Sequence, residues 1–597
     1  MPCHVLQVAA GTYDLLHGIA TTTPWSASMI FLLLLTAFFG SYESLISASP
    51  LKSTCRCFPG DSCYPDTTAW DALNATVGGK LIATVPIAAV CHFDQFVAYD
   101  EAACATLRDN WFYPETHLPS PSSAMAWLFT NNTCNPFLSS TTPCTLGNYV
   151  SYTINATTSN DVKEAINFAN SNNIRLVIRG TGHDYNGKST GAGALSIWTH
   201  YMKSISLNES YESQAYTGKS VVLGAGISSI EAYTFADANN GLIVGGNCPT
   251  VSLAGGYTQG GGHGPFATKF GLAVDQVLEW EVVTSEGELL TASPTINSDL
   301  YWALSGGGGG TYGVVLSVTV KFHPPTSILS SATLQFAPPA TGNATAYWNT
   351  VKVFLESLPS LVDGGLQLGW TLTPEVFLIS PVTGFDVEQA KIDELFAPTI
   401  SSLEAANISY AYTSSVATSF LSYYESGGFG ANVSNTNLAG RLLPRSIVQN
   451  STDSFISILQ TIVNNKLIFA GVTLDVNTPV VANAPAISIN PYWRQTLMTG
   501  VFGAYLDYTD IEQGFQTQDF MTDTIMPALA ALTPNGAAYI NEADFQQPDW
   551  QNVFYGENFN RLSDIKAKYD PRQTFYALGA VGSEKWTERS DGRLCRV

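Results

Sequence analysis

Charge is scarce in this sequence: Asp, Glu, Lys and Arg make up 12% of the 597 residues, against a usual share of about 25%. The basic sign is the rarer, with 26 Lys and Arg against 48 Asp and Glu. A formal net charge of −22 excludes the basic surface on which nucleic-acid and anionic-membrane binding depend. Long apolar runs are also missing. The stretch 29–39 covers eleven residues, short of the roughly 20 that span a bilayer. It suits the core of a secretory signal, with cleavage positions at Ser47, Ala48 and Ser49. No Lys or Arg precedes residue 52, an unusual lead for a signal, and one explanation is a true start at Met29. Residues 1–49 are therefore expected to be a leader, and the mature chain to hold no stable membrane span. No Gly-x-Gly-x-x-Gly opens a helix after a strand. Gly224-Ala-Gly226 and Gly306–Gly310 lack that spacing and its downstream acid, which excludes a nicotinamide fold. Cys-x-x-Cys pairs and histidine clusters are absent too, so no metal site is expected.

What is present begins with cysteine. Seven of ten lie between Cys55 and Cys144, the pattern of a disulfide-stapled, secreted segment, here 50–144. Seven is odd, so one sulfur pairs elsewhere or stays free. Eight Asn-x-Ser/Thr sites, at Asn74, Asn131, Asn155, Asn208, Asn343, Asn407, Asn432 and Asn450, fit a glycoprotein of the secretory pathway, secreted or vesicular. Residues 50–144 read as irregular and loop-rich. From about 150 an α/β rhythm begins. A helix over 161–170 puts Val162, Ala165, Ile166 and Ala169 on one face. A strand at 174–178, a short strand at 220–224 and a helix at 227–236 follow. Residues 279–284 and 288–291 read as a hairpin. Leu316–Phe322 alternates as a half-buried strand, and His323-Pro-Pro325 stops it.

Two glycine-punctuated turns hold nucleophilic side chains. Arg179-Gly-Thr-Gly-His-Asp184 follows the strand at 174–178 and carries His183. Gly246-Asn-Cys-Pro-Thr250 carries Cys248 and precedes Gly255-Gly-Tyr-Thr-Gln-Gly-Gly-Gly262. Glycine lets backbone approach a ligand closely, so the pair suits a flat cofactor clamped from two sides. A lone turn histidine is ordinarily just a satisfied one, and Cys248 could equally be a buried thiol or the disulfide partner of an N-terminal cysteine.

The two turns, the block Ser298–Gly313, Tyr539-Ile-Asn541, and Phe554–Leu562 closing at Tyr569-Asp-Pro571 together resemble the FAD-linked oxidases related to berberine bridge enzyme, in the vanillyl-alcohol oxidase superfamily. Within it they resemble the fungal isoamyl-alcohol-oxidase-like branch. The resemblance implies an α+β fold: a two-subdomain PCMH-type FAD-binding domain at 145–326, and a substrate domain at 327–530 whose antiparallel sheet is covered by helices. A C-terminal segment at 531–597 returns to the flavin. It also implies bicovalent FAD, on His183 through the 8α-methyl and on Cys248 through C6. The other cofactor-binding residues implied are Arg179, Gly180, Thr181, Gly182, Asp184, Pro249, Thr250, Gly255, Gly256, Gly261, Gly262, His263, Asn541 and Asn558. The glycine loops supply N–H groups to the pyrophosphate. Tyr539 is the expected catalytic hydroxyl, a base if positive charge or hydrogen bonds stabilise its phenolate. Glu542-Ala-Asp544 stands where many relatives carry an aromatic or histidine, which leaves the base open. The expected reaction takes hydride from a small-molecule alcohol to FAD and returns it to O₂ as H₂O₂, as a secondary-metabolite tailoring step. A carbohydrate oxidase, an oxidative cyclase and a non-catalytic glycosylated surface protein are the alternatives.

Overall fold

A computed structural model describes residues 55–93, 96–339, 344–427, 432–482 and 484–597. The leader 1–49 and the glycosylation site at Asn343 lie outside the described residues. Two small sheets form the first half of the chain. Strands β1 (Leu81–Ala83), β2 (Tyr152–Asn155), β3 (Leu176–Arg179) and β4 (Leu195–Trp198) take the order β1-β2-β4-β3. β2, β4 and β3 run parallel, and β4 is buried along its whole length, as an inner parallel strand should be. Helix α1 (Ser159–Ser171) makes the crossover. Thr158 caps it: its Oγ1 accepts the Asp161 N–H at 3.2 Å, and the Asp161 carboxylate accepts the Thr158 N–H at 2.9 Å. Val162, Ala165, Ile166 and Ala169 are buried beneath it.

The second sheet corrects the α/β reading. Strands β5 (Ile205–Glu212), β6 (Thr217–Gly224), β7 (Val277–Val283), β8 (Leu289–Ala292) and β9 (Val314–Lys321) take the order β5-β6-β9-β7-β8. Every neighbour pair is antiparallel. The β5–β6 and β7–β8 hairpins impose this, and helix α2 (Ser229–Ala238) does not alternate with parallel strands. The segment before β2 is likewise less irregular than its Pro and Cys content suggests. It holds helices at Thr67–Thr76 and Glu101–Asn110, each started by an aspartate whose carboxylate accepts an N–H three residues on.

After β9 the chain enters a seven-stranded antiparallel sheet. It comprises β10 (Leu329–Phe336), β11 (Leu366–Leu372), β12 (Phe377–Phe385), β13 (Tyr410–Ala417), β14 (Thr436–Pro444), β15 (Ile468–Thr473) and β16 (Thr496–Tyr505), in the order β13-β10-β12-β11-β15-β16-β14. Helices α3 (Ala344–Asp363), α4 (Gln389–Ala405) and α5 (Thr452–Asn464) cover one face. Phe354, Phe396 and Phe455 share a single core with Trp370, Phe377 and Phe469 of the sheet. The opposite face of β14 and β16 turns toward the two small sheets. No described helix is long and apolar enough to cross a membrane.

The last residues return to the first. Strands β17 (Trp586–Glu588) and β18 (Leu594–Arg596) pair, and Cys55 is bonded to Cys595 across 540 residues. The sulfur left over from the seven is thus Cys55. Cys57–Cys63, Cys91–Cys104 and Cys134–Cys144 account for the other six. A Cys595→Ser variant is expected to lose about 2–5 kcal/mol of stability. Proteolysis at the chain ends should rise in step, and an unaltered unfolding midpoint would contradict it.

Candidate active site

β3 delivers the first turn. Its pairing with β4 ends at Arg179 opposite Trp198, and the chain reverses through Gly180-Thr-Gly182. Gly182 sits at φ +85°, and a Cβ there would stand 3.0 Å from the Arg179 guanidinium carbon. The turn therefore requires glycine on two counts. Arg179 itself points away from the cleft, donating to the carbonyl oxygens of Ser123 and His117. Its guanidinium braces the turn from below, so it offers nothing directly to a pyrophosphate. Asp184 accepts the N–H groups of Asn186, Lys188 and Ser189 at 2.7–3.0 Å and fixes the loop that follows.

His183 lines the cleft. Its Nε2 lies 2.7 Å from Thr250 Oγ1, which leaves Nδ1 without a hydrogen-bond partner among the described residues. Burial, then the nearby His117 and Arg179, hold its pKa down to about 3. The imidazole is neutral near pH 7, the state a nucleophile needs. The second turn is pinned to the start of α2, where Ile230 N–H donates to Pro249 O at 3.1 Å and Ser229 N–H to Val251 O at 3.0 Å. Pro249 and Thr250 thus stand behind the wall while Cys248 lines it. Cys248 is disulfide-bonded.

Gly180, Gly182, Gly255, Gly256, Gly309 and Gly310, none with a side chain, line the same cleft beside Thr181. Nothing lies within 4 Å of where a Cβ would stand on Gly256 or Gly310. The cleft encloses about 1470 Å³ of free space, mouth included. Four buried polar atoms of its lining residues have no partner among the described residues: Asn186 Oδ1, Asn247 Oδ1, Gln259 Oε1 and His263 Nδ1. Buried polar groups are normally satisfied. A polar, flat ligand with donors and acceptors on its edge, the description of FAD, fits this wall. Lys188 is the sole Lys or Arg lining the cleft among the described residues, its pKa brought down to about 8 by burial against the opposing pull of Asp184.

The C-terminal turn closes the other side. Asn541 Nδ2 donates at 2.8 Å both to Gly256 O and to the Tyr539 hydroxyl. Glu542 is 7% exposed. Its carboxylate lies 3.1 Å from His263 Nε2 and 3.5 Å from Thr499 Oγ1 on β16. β14 admits the turn only because residue 440 is glycine: a Cβ there would stand 2.3 Å from Glu542 O. Tyr539 meets the His263 ring edge-on at 5.3 Å and the Trp493 ring at 5.4 Å. Burial, followed by the Glu542 carboxylate, raises its pKa. The positive charge that phenolate chemistry needs is not what faces it.

Gly261 and Gly262 pack behind Tyr539 and Tyr257, and Asn558 Nδ2 ties down the carbonyls of Ser488 and Ile489 at 3.2 and 2.9 Å. These three do not line the cleft. The sequence reading missed Glu542 as a working group, along with Trp493, Tyr257 and Lys188. Its one signal was the acid in Tyr-x-Asn-Glu. Among the described residues no group of His, Cys, Asp and Glu could hold a metal ion.

Residues 150–293 match the family described as FAD binding domain, and residues 538–581 the family described as berberine and berberine-like. The FAD-linked oxidoreductase sor8 of Hypocrea jecorina is 43% identical over 94% of this chain and 97% of its own. A bifunctional decalin synthase, calF of Penicillium decumbens, is 41% identical over 92% and 97%. The crystal structure of a VAO-type flavoprotein, MtVAO615 of Myceliophthora thermophila C1, superposes with a TM-score of 0.85 at 38% identity. It covers 91% of this chain and all of that one. Glucooligosaccharide oxidase of Acremonium strictum shares the fold at a TM-score of 0.59 and 18% identity, and its FAD is described as 6-S-cysteinyl, 8α-N1-histidyl.

Proposed function

Since the chain belongs to the family of FAD-linked oxidoreductases that join an FAD-binding domain to a berberine-like C-terminal segment, we propose that it oxidises a small-molecule alcohol to the carbonyl, with Glu542 as base. The observation that carries this is the buried Glu542–His263–Tyr539 cluster on the same cleft as His183 and the glycine turns. FAD, held by the glycine turns and His183, would supply a two-electron acceptor for the hydride of the carbinol carbon, with O₂ as the final oxidant and H₂O₂ as its product. The protein's part is the proton. Glu542 takes it from the substrate hydroxyl, and His263 holds that carboxylate in place through Nε2–H. Tyr539, its phenol kept protonated, donates to the substrate oxygen. Tyr539, Tyr257 and Tyr185 wall the space, with Trp493 packed against Tyr539 and Tyr185 packed on Leu438 and Val501 of the large sheet. An oxidative cyclase is the second reading, favoured by the decalin synthase among the relatives. The four disulfides among the described residues support the secretory pathway.

The test is an anaerobic visible spectrum during addition of alcohols, sugars and polyketide alcohols. Bleaching by one class, reversed in air with H₂O₂, names the substrate. A colourless folded protein supplied with FAD sinks the reading.

His183 is the proposed anchor, through Nδ1. Cys248 adds the second link when its sulfur is outside a disulfide. His183→Ala and Cys248→Ala are each expected to keep one covalent bond through acid precipitation, and the double variant none. Loss of all covalent flavin in His183→Ala alone would restrict Cys248 to its disulfide. Retention in the double variant would place the attachment elsewhere.

A further inference from the structure

A second cavity, with about 640 Å³ of free space, mouth included, opens where the two ends of the described chain meet, on residues absent from the flavin cleft. Arg56, Arg572, Arg596, Trp586, Asn170 and Asn173 line it, and no acidic side chain does. In a chain with 26 basic and 48 acidic residues, three arginines on one wall run against the overall charge. Arg56 is 9% exposed and its bonds go to neutral acceptors, Asn173 Oδ1 at 3.0 Å and Gln573 O at 2.5 Å. Arg596 reaches one more neutral acceptor, Gln573 Oε1, at 3.4 Å. Arg572 is paired outward with Glu286 at 3.3 Å. The guanidinium carbons of Arg56 and Arg596 each lie 4.7 Å from the Trp586 ring centroid. The ring thus holds two like charges together. Burial brings the Arg56 pKa down to about 10; the Asp570 carboxylate opposes the fall, and Arg596 adds a smaller push to it.

Guanidinium groups stacked on an aromatic ring, with donors to spare and no carboxylate among them, form a fork for a tetrahedral oxyanion. We propose that this cavity binds one phosphate or sulfate group, which relieves the Arg56–Arg596 repulsion and ties the Cys55 segment to the β17–β18 pair. Arg56 and Arg596 are the clamping residues, with the Asn170 and Asn173 side chains at the rim.

Calorimetric titration of the flavin-loaded protein with inorganic phosphate tests it, because there the pyrophosphate cradle is already filled. One site per chain is expected, with sulfate competing and chloride at equal ionic strength not. Arg596→Gln lies on the surface and should keep the yellow flavin spectrum while weakening phosphate at least about tenfold, the loss of one charge-assisted contact. Absence of binding, or equal binding by that variant, overturns the proposal. Tighter binding of glucose 6-phosphate than of inorganic phosphate would identify a phosphorylated metabolite as the source, and weaker or equal binding the free ion.

Discussion

Glu542→Gln is expected to slow flavin reduction by substrate about 10²–10⁴-fold, the usual worth of a positioned general base. The amide keeps the shape and can still meet His263, so FAD retention and the visible spectrum should not change. Only the ability to accept a proton is lost. Tyr539→Phe removes one hydrogen-bond donor and is expected to cost about tenfold, from a net contribution of about 1 kcal/mol. The ordering of the two variants is the decisive result, read by anaerobic stopped-flow at saturating substrate. If Tyr539→Phe were inactive and Glu542→Gln reduced at the wild-type rate, the base would be the phenol after all. His263→Ala should fall between, because it removes the group that orients the carboxylate and leaves the carboxylate itself.

Lys566→Met is expected to cost about 3–5 kcal/mol of stability, the loss typical when one partner of a buried ion pair is removed. Lys566 sits on helix α6 (Phe559–Tyr569), 3% exposed, and donates to Asp570 at 2.6 Å, to Thr311 O at 2.6 Å and to Phe575 O at 2.9 Å. Asp570 is wholly buried and also accepts the N–H groups of Thr574 and Phe575. Methionine fills the space but leaves that carboxylate uncompensated and two carbonyls unpaired. The strut joins α6 to the glycine loop before β9, so soluble yield and the scan-rate-matched unfolding midpoint should both drop. An unchanged midpoint would mean that water replaces the ammonium. A second change, Asp570→Asn, should return part of the loss, because it removes the stranded charge and keeps an acceptor for the two N–H groups.

Local signals carried part of this structure and long-range packing the rest. Helix α1 is legible because Thr158 and Asp161 cap it and four apolar residues share its inner face. The β7–β8 hairpin is legible from its Ser285-Glu-Gly287 turn, and the family from the order of its motifs. The helices at 67–76 and 101–110 are hidden because short capped helices among Pro and Cys have no strong apolar stripe. The antiparallel second sheet is hidden because β6 pairs with β9, nearly a hundred positions on, a contact that no local pattern marks. In the site, glycine turns announce themselves by composition. Arg179 misleads because a buried arginine satisfied by Ser123 and His117 reads, in one dimension, like a phosphate ligand. Glu542 acquires its meaning only from His263, 279 positions away, and from Thr499 on β16.

The Cys55–Cys595 bond sets a clock on biogenesis. At about 5–20 residues per second, the 540 residues between the two sulfurs take the ribosome about 30–110 s to add. Throughout that interval Cys55 waits as a thiol beside Cys57 and Cys63, two nearer partners that emerge almost with it. Its correct partner arrives last, so native pairing calls for either early closure of Cys57–Cys63 or later exchange by an isomerase. Pulse-labelled chains should therefore pass through a species in which the short loop is closed and Cys55 is still open to alkylation.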